Sequence, residues 1–339
     1  MRAPLALDLP ENAGVVVCNG GGVDSMAMLI ALRDAGITPD LITFADTGGE
    51  KPETYQTVRQ MDHWLIANGF PTVTWCKKLT LDSTPYDDLG GNCSHNETLP
   101  SLAFGMKSCS IKWKQGPQDA VLKGVKQGPN KRDPHPLWTA AQRAGSKLVK
   151  LIGYDSSPAD LRRSKRVKTE DADFLYAYPL QDLGWQRRDC IARIIEEGLP
   201  VPIKSACFFC PASQKWELWA LAGNHPHLFM EALAIEHRAM VGKHSRWDQE
   251  ECLYDKSWEE LINQPADQWP TTSITVGLGR SFAWNHWARE NGLVCGETGR
   301  FIGNREHCLA MADKLRGDGG NASNGCSGLD VAEGWRAAA

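Results

Sequence analysis

The 339-residue chain lacks any apolar stretch long enough to span a membrane, which excludes a helical membrane protein and predicts no membrane partner. Its first residues, MRAPLALDLPENAG, also lack the extended apolar segment of a secretory leader, so a cytoplasmic location is expected. Eleven cysteines without such a leader argue against a disulfide framework and for free thiols, metal ligation or redox chemistry. No internal repeat is found, which excludes repeat architectures. No Gly-Lys-Ser/Thr tripeptide occurs anywhere, so a Walker A loop is excluded, and no Gly-x-Gly-x-x-Gly stands where a dinucleotide fingerprint belongs.

What the chain does have is three consecutive glycines between an apolar β-branched run and a helical pattern, in VVVCNGGGVDSMAMLIALRDAG (Val15 to Gly36). Such a loop brings backbone N–H groups close to an anion, and the helix N-terminus adds its dipole. An ordinary tight βα turn is the plain alternative. Further runs at 14–18, 41–47, 72–76, 147–154 and 174–180 read as strands. Helical patterns alternate with them, from Ser25 to Ala35, Pro52 to Asn68 and over 185–198. The expectation is an α/β fold, a parallel sheet with helices on both faces, with ligands at the carboxyl ends of its strands. Residues 77–146 read as a long irregular segment, rich in Gly, Pro and Lys, and too long to be a mere connection. Beyond about 215 the chain turns Trp-rich. We expect a main domain over 1–215 carrying the irregular basic insertion 77–146, a small helical C-terminal subdomain over 216–315, and a disordered tail over 316–339.

The net charge of −4 is unevenly spread. From Lys107 to Lys168 fifteen Lys or Arg face four acids, Asp119, Asp133, Asp155 and Asp160, a balance of +11 that leaves −15 for the remainder. A solvated basic face would account for this. So would nucleotide phosphates and a nucleic-acid backbone.

The segment Gly20 to Ser25, GGGVDS, resembles the PP-loop Ser-Gly-Gly-x-Asp-Ser of the ATP pyrophosphatase superfamily, with Gly20 in place of the first serine. The next segment, FADTGGEKPETY (44–55), is similar to the one after strand two in the PAPS reductase branch of that superfamily. GYDSSPADLRRSKR (153–166) falls where that branch carries an acid and arginines, and SACFFCP with KSCSIKWKQGP resembles its iron–sulfur ligand segments. The resemblance covers roughly 14–215 and implies an adenine nucleotide alpha hydrolase-like fold. It further implies ATP and Mg²⁺ held by Gly20, Gly21, Gly22, Val23, Asp24, Ser25, Asp46, Thr47 and Gly48. Asp46 would bind Mg²⁺ or order its loop. Arg162, Arg163 and Arg166 would clamp phosphates bidentately. Lys112 and Lys114 would face phosphate, and Asp24, Ser25, Asp46, Lys112 and Arg163 would serve catalysis. Cys109, Cys207 and Cys210 would hold an iron–sulfur cluster, of the 4Fe-4S type, with zinc the alternative. Cys93, Cys190, Cys295 and Cys308 are unranked candidates for a fourth ligand.

The resemblance thus implies cleavage of ATP to AMP and pyrophosphate, with an acceptor adenylated for sulfur transfer. With the basic middle, the acceptor is expected to be a nucleic acid, in DNA phosphorothioation or tRNA thiolation. A cysteine desulfurase or another sulfur donor would be a partner. A PAPS or APS reductase is one alternative, but no cysteine after Cys210 is followed by the Gly-hydrophobic-His pattern of that group's mobile segment. A non-catalytic nucleotide-binding subunit of a modification or defence complex is the other.

Overall fold

A computed structural model describes residues 5–166, 171–241 and 277–319. Five apolar runs form strands: β1 (Val15–Asn19), β2 (Leu41–Asp46), β3 (Val73–Lys77), β4 (Leu148–Ile152) and β5 (Phe174–Ala177). They pair in the order β3-β2-β1-β4-β5, and every pairing is parallel. Parallel strands are covered on both faces, which is why they read as continuous apolar runs and not as alternating ones. The chain runs outward from β1 through β2 to β3 and returns on the other side of β1 as β4. The carboxyl ends of β1 and β4 therefore flank the topological switch point, where α/β sheets bind ligands.

The described helices are α1 (Val23–Asp34), α2 (Pro52–Ala67), α3 (Leu89–His95), α4 (Gly116–Lys123), α5 (Pro136–Ala144), α6 (Pro158–Ser164), α7 (Arg187–Glu196), α8 (Lys215–Asn224), α9 (Pro226–Val241), α10 (Trp284–Glu290) and α11 (Arg305–Gly319). One sheet face packs α1, α2 and α7 through Val15, Val17, Phe44, Val58, Leu65 and Ile194. The opposite face presents Val16, Leu41 and Leu148 to Leu122 of α4 and Ala141 of α5.

The second layer corrects the expectation of an irregular 77–146. Pro136 stands in the first turn of α5, where a missing N–H costs nothing, and Pro117 follows a π turn, Ile111–Gln115, in helical backbone that runs unbroken from Ser108 to Lys123. His135 caps α5, its Nδ1 accepting the Leu137 N–H at 3.2 Å. The strand expected over 174–180 stops at Ala177, because Pro179 opens a helical turn, Pro179–Asp182. The tail expected to be disordered from 316 is helical to Gly319 in α11, and 320–339 lie outside the described residues.

A second apolar core gathers Leu89, Leu99 and Trp113 with Phe208, Phe209, Trp219, Phe229, Trp284 and Trp287, so it draws on residues from both sides of 215. Inside it Glu236 is fully buried. Its carboxylate accepts the N–H groups of Leu278, Trp284 and Asn285 and the Asn285 side-chain amide, at 2.6 to 2.9 Å. Part of the expected helical subdomain, 242–276, lies outside the described residues. No described helix is long and apolar enough to cross a membrane.

Candidate functional site

The glycine loop joins β1 to α1. Gly21 has φ +70°, and a Cβ there would stand 2.8 Å from Val58 and 3.0 Å from Thr54, so only glycine fits. Asn19 Oδ1 accepts the Gly21 N–H, and Ser25 Oγ accepts the Gly20 N–H, both at 2.8 Å. Gly22 is the N-cap of α1 and provides no side-chain cap, while Val23 is buried in the first turn. The start of α1 thus offers N–H groups and a positive dipole end that no side chain caps by hydrogen bonding.

Three carboxylates converge beside it. Ligand oxygens of Asp24, Asp155 and Asp160 lie within 4.8 Å of one another, the one such group of His, Cys, Asp or Glu among the described residues. Asp24 comes from the first turn of α1, and the other two come from the loop after β4 and from α6. Gly153 makes the approach possible, since a Cβ there would lie 3.1 Å from the Asp24–Ser25 peptide. Arg187, at the start of α7, donates to Asp24 Oδ2 at 2.7 Å, whereas Asp24 Oδ1 is buried without a partner. Burial raises the Asp24 carboxyl to about 6, with Arg187 only partly offsetting it. Burial likewise raises Asp160, which Arg163 pairs at 2.6 Å. An orphaned carboxylate oxygen within a trio of acids is a donor set suited to a hard divalent cation.

Asp46 is occupied in ordering its own loop. Its Oδ1 accepts the Gly48 N–H at 2.8 Å and the Tyr55 hydroxyl at 2.7 Å. Gly48, at φ +74°, has no room for a Cβ beside Asp88. Thr47, expected near the nucleotide, instead places Oγ1 3.3 Å from Cys207 Sγ.

That contact opens the thiol region. The segment carrying Cys207 runs antiparallel to Glu50, and Phe208 N–H donates to Gly49 O at 2.8 Å. Cys93, Cys109, Cys207 and Cys210 all line the second core. Cys190 belongs instead to the sheet-side core, whereas Cys308, on α11 against Gly223, lines the second core as Cys93 does. Burial pushes the Cys93 thiol up to about 12 and the Cys207 thiol higher. The Glu50 carboxylate is fully buried. Lys114 donates to its Oε1 at 2.8 Å, and its Oε2 has no partner. Burial disfavours the Lys114 charge, but Glu50 and Cys207 more than offset this and hold it ionised.

Lys112, Arg162 and Arg166 are exposed. Lys126, Lys131 and Arg132 are exposed as well, whereas Lys123 is tied to Asp173 and lies over the Trp138 and Phe174 rings. Sequence reasoning missed Arg187, 163 residues from Asp24, and Glu50. It also missed Ser205, which packs on the glycine loop. None carries a local signal beyond the proximity of Ser205 to Cys207.

No family model and no curated protein matches this chain. Among solved structures, the U34-tRNA thiolase NcsA from Methanococcus maripaludis with its 4Fe-4S cluster is similar at a TM-score of 0.36 and 13% identity. The match covers 68% of this chain and 72% of that one. A similarity that slight carries no argument about chemistry.

Proposed function

We propose that this chain is a PP-loop ATP pyrophosphatase of the PAPS reductase-like type, which adenylates a nucleic-acid acceptor for sulfur transfer. The observation that carries the reading is the glycine loop and uncapped start of α1 beside three converging carboxylates at the switch point of the sheet. Together they form a site for a polyphosphate and its counter-cation.

An acceptor oxygen attacks the α-phosphorus of ATP, and the bond to the bridging oxygen breaks to release pyrophosphate. The N–H groups at the start of α1 and the Ser25 hydroxyl stabilise the charge gathering on the leaving group. Asp24, Asp155 and Asp160 would hold Mg²⁺, which supplies further neutralisation of that charge. Arg187 fixes Asp24 in place. Arg162 and Arg166 would clamp the nucleotide's phosphates together with Arg163, which is anchored to Asp160, and Lys112 would face phosphate near Cys109. Hydrosulfide, or a donor's persulfide whose S–S bond a second thiol then reduces, attacks the activated atom of the acceptor, and AMP leaves with the electron pair of the bond that breaks; a cysteine desulfurase would be such a persulfide donor. Cys109, Cys207 and Cys210 would hold an iron–sulfur cluster, which with three protein thiolates would supply one iron open to sulfur, or a fully ligated cluster if Cys93 is a fourth ligand. Among acceptors we favour DNA phosphorothioation over tRNA thiolation, and the exposed Lys126, Lys131 and Arg132 suit the backbone of either.

The test is the product of ATP turnover, separated chromatographically in the presence of Mg²⁺ and nucleic acid. AMP and pyrophosphate are expected, and Asp24→Ala and Ser25→Ala should each abolish them. ADP and phosphate would overturn the reading.

A further inference from the structure

Gly20 and Gly22 turn their bare faces toward the same residue. A Cβ on Gly22 would lie 3.4 Å from Ser205 Oγ, 3.5 Å from its Cβ and 3.7 Å from its backbone nitrogen. On Gly20 it would lie 3.8 Å from Ser205 Oγ and 3.3 Å from Ser25 Oγ. Ser205 therefore stands over the loop, its hydroxyl reaching the space that side chains at these two positions would fill. Ser25 already accepts the Gly20 N–H. Ser205 Oγ is bonded to no other described residue.

The position is held from both directions. Upstream, Lys204 bonds Glu217 Oε2 at 2.8 Å and the Ala212 carbonyl at 3.1 Å. Downstream, Cys207 bridges to Glu50 and Phe208 bonds Gly49. A half-buried hydroxyl fixed by its neighbours loses little entropy on meeting a ligand.

We propose that Ser205 is a phosphate-binding residue, its hydroxyl donating to an anionic phosphate oxygen of ATP held by the glycine loop. This rests on the ATP reading above. It also gives the Ser205–Cys207 segment a second function. A single residue, Ala206, separates the hydroxyl that touches the nucleotide from the thiol of Cys207, so phosphate binding and the seating of that thiol share one short stretch of backbone.

The test is equilibrium binding of ATP, inorganic pyrophosphate and adenosine, without acceptor, to wild type and four variants. Ser205→Ala should weaken ATP and pyrophosphate by about tenfold or more, the worth of a hydrogen bond to a charged group. Adenosine, which has no phosphate, should bind unchanged. Ser205→Thr keeps a hydroxyl and should bind within a few-fold of wild type. Gly20→Ser places a hydroxyl in the same space, so Gly20→Ser with Ser205→Ala should bind ATP more tightly than Ser205→Ala, with Gly20→Ser alone as the reference for that comparison. Unchanged ATP and pyrophosphate affinity in Ser205→Ala would overturn the proposal. So would an equal loss for adenosine, or a double variant no better than Ser205→Ala. If wild type binds ATP with this pattern but yields ADP, the pyrophosphatase reading falls and the Ser205 assignment stands. If wild type binds neither ATP nor pyrophosphate, both fall.

Discussion

Asp24→Asn should stabilise the ligand-free protein while removing its activity, and the stabilisation should depend on pH in a defined direction. Asp24 keeps one carboxylate oxygen buried without a partner, and its carboxyl rises from 3.8 to about 6. Between about pH 4 and pH 6 the folded protein therefore holds a proton that the unfolded chain has already released, so stability falls as pH rises through that window. A shift of about two pKa units corresponds to an upper limit of about 3 kcal/mol, fully lost above pH 6. Asn has no proton to release, and its side-chain oxygen still accepts from Arg187. The variant should thus match wild type near pH 4 and exceed it by up to about 3 kcal/mol at pH 7, a rise of about 4 °C in unfolding temperature for a chain of this length. Thermal unfolding in EDTA from pH 4 to pH 8 measures this. Adding Mg²⁺ and ATP at a hundredfold their dissociation constant should stabilise wild type by about 2.7 kcal/mol and leave the variant unmoved. A variant less stable at pH 7, or a difference that stays flat with pH, would refute the argument.

Anaerobically isolated Cys93→Ala should lose iron, acid-labile sulfide and visible absorbance, as should Cys207→Ala, while Cys190→Ala keeps them; full absorbance in Cys93→Ala would remove it from the ligand set. Nucleic-acid affinity should fall steeply with salt, and reversing Lys126, Lys131 and Arg132 to Glu should flatten the log–log slope by about 0.9 per lost phosphate contact on duplex DNA. ATP affinity should be unchanged in that variant, and an unaltered slope would dismiss this face as the nucleic-acid surface. Glu236→Ala leaves three backbone N–H groups buried without an acceptor and should destabilise the protein by about 3 kcal/mol or more in urea unfolding, with Glu236→Gln recovering part of the loss.

The sheet was legible because its strands are buried on both faces and read as short apolar runs between turn residues. β1, expected at 14–18, lies at Val15–Asn19, and β3, expected at 72–76, lies at Val73–Lys77. The layer behind the sheet was not legible. Pro136 opens α5, and a proline in a first turn looks in sequence like a proline in a loop, while Pro117 sits behind the π turn Ile111–Gln115 inside unbroken helical backbone. Position within the element decides its meaning, and that position is fixed only once Leu122 and Ala141 have a sheet face to pack on.

The candidate site divides along the same line. Gly20 to Ser25 are contiguous, so the loop, its bare N–H groups and its hydroxyl could be read together. Asp24 was visible, but its circumstances were not, because Arg187, Asp155 and Asp160 reach it from α7, the loop after β4, and α6. Thr47 shows how contiguity can mislead. It follows Asp46 in a segment read as nucleotide-binding, yet its hydroxyl meets Cys207, 160 residues away. Asp46 to Glu50 therefore has two faces. Asp46 braces the loop through Gly48 and Tyr55, while Thr47, Gly49 and Glu50 hold the thiol segment by hydroxyl, carbonyl and strand bridge. Because Ser205 extends that segment onto the glycine loop, a disturbance at Gly49 has a direct covalent route to the phosphate side. A Cβ on Gly49 would stand 2.7 Å from the Phe209 ring, so Gly49→Ala should displace the segment and weaken ATP binding although Gly49 touches no phosphate. Calorimetric titration of that variant with ATP measures the effect, and wild-type affinity together with an unshifted unfolding temperature would show the two sides to be independent.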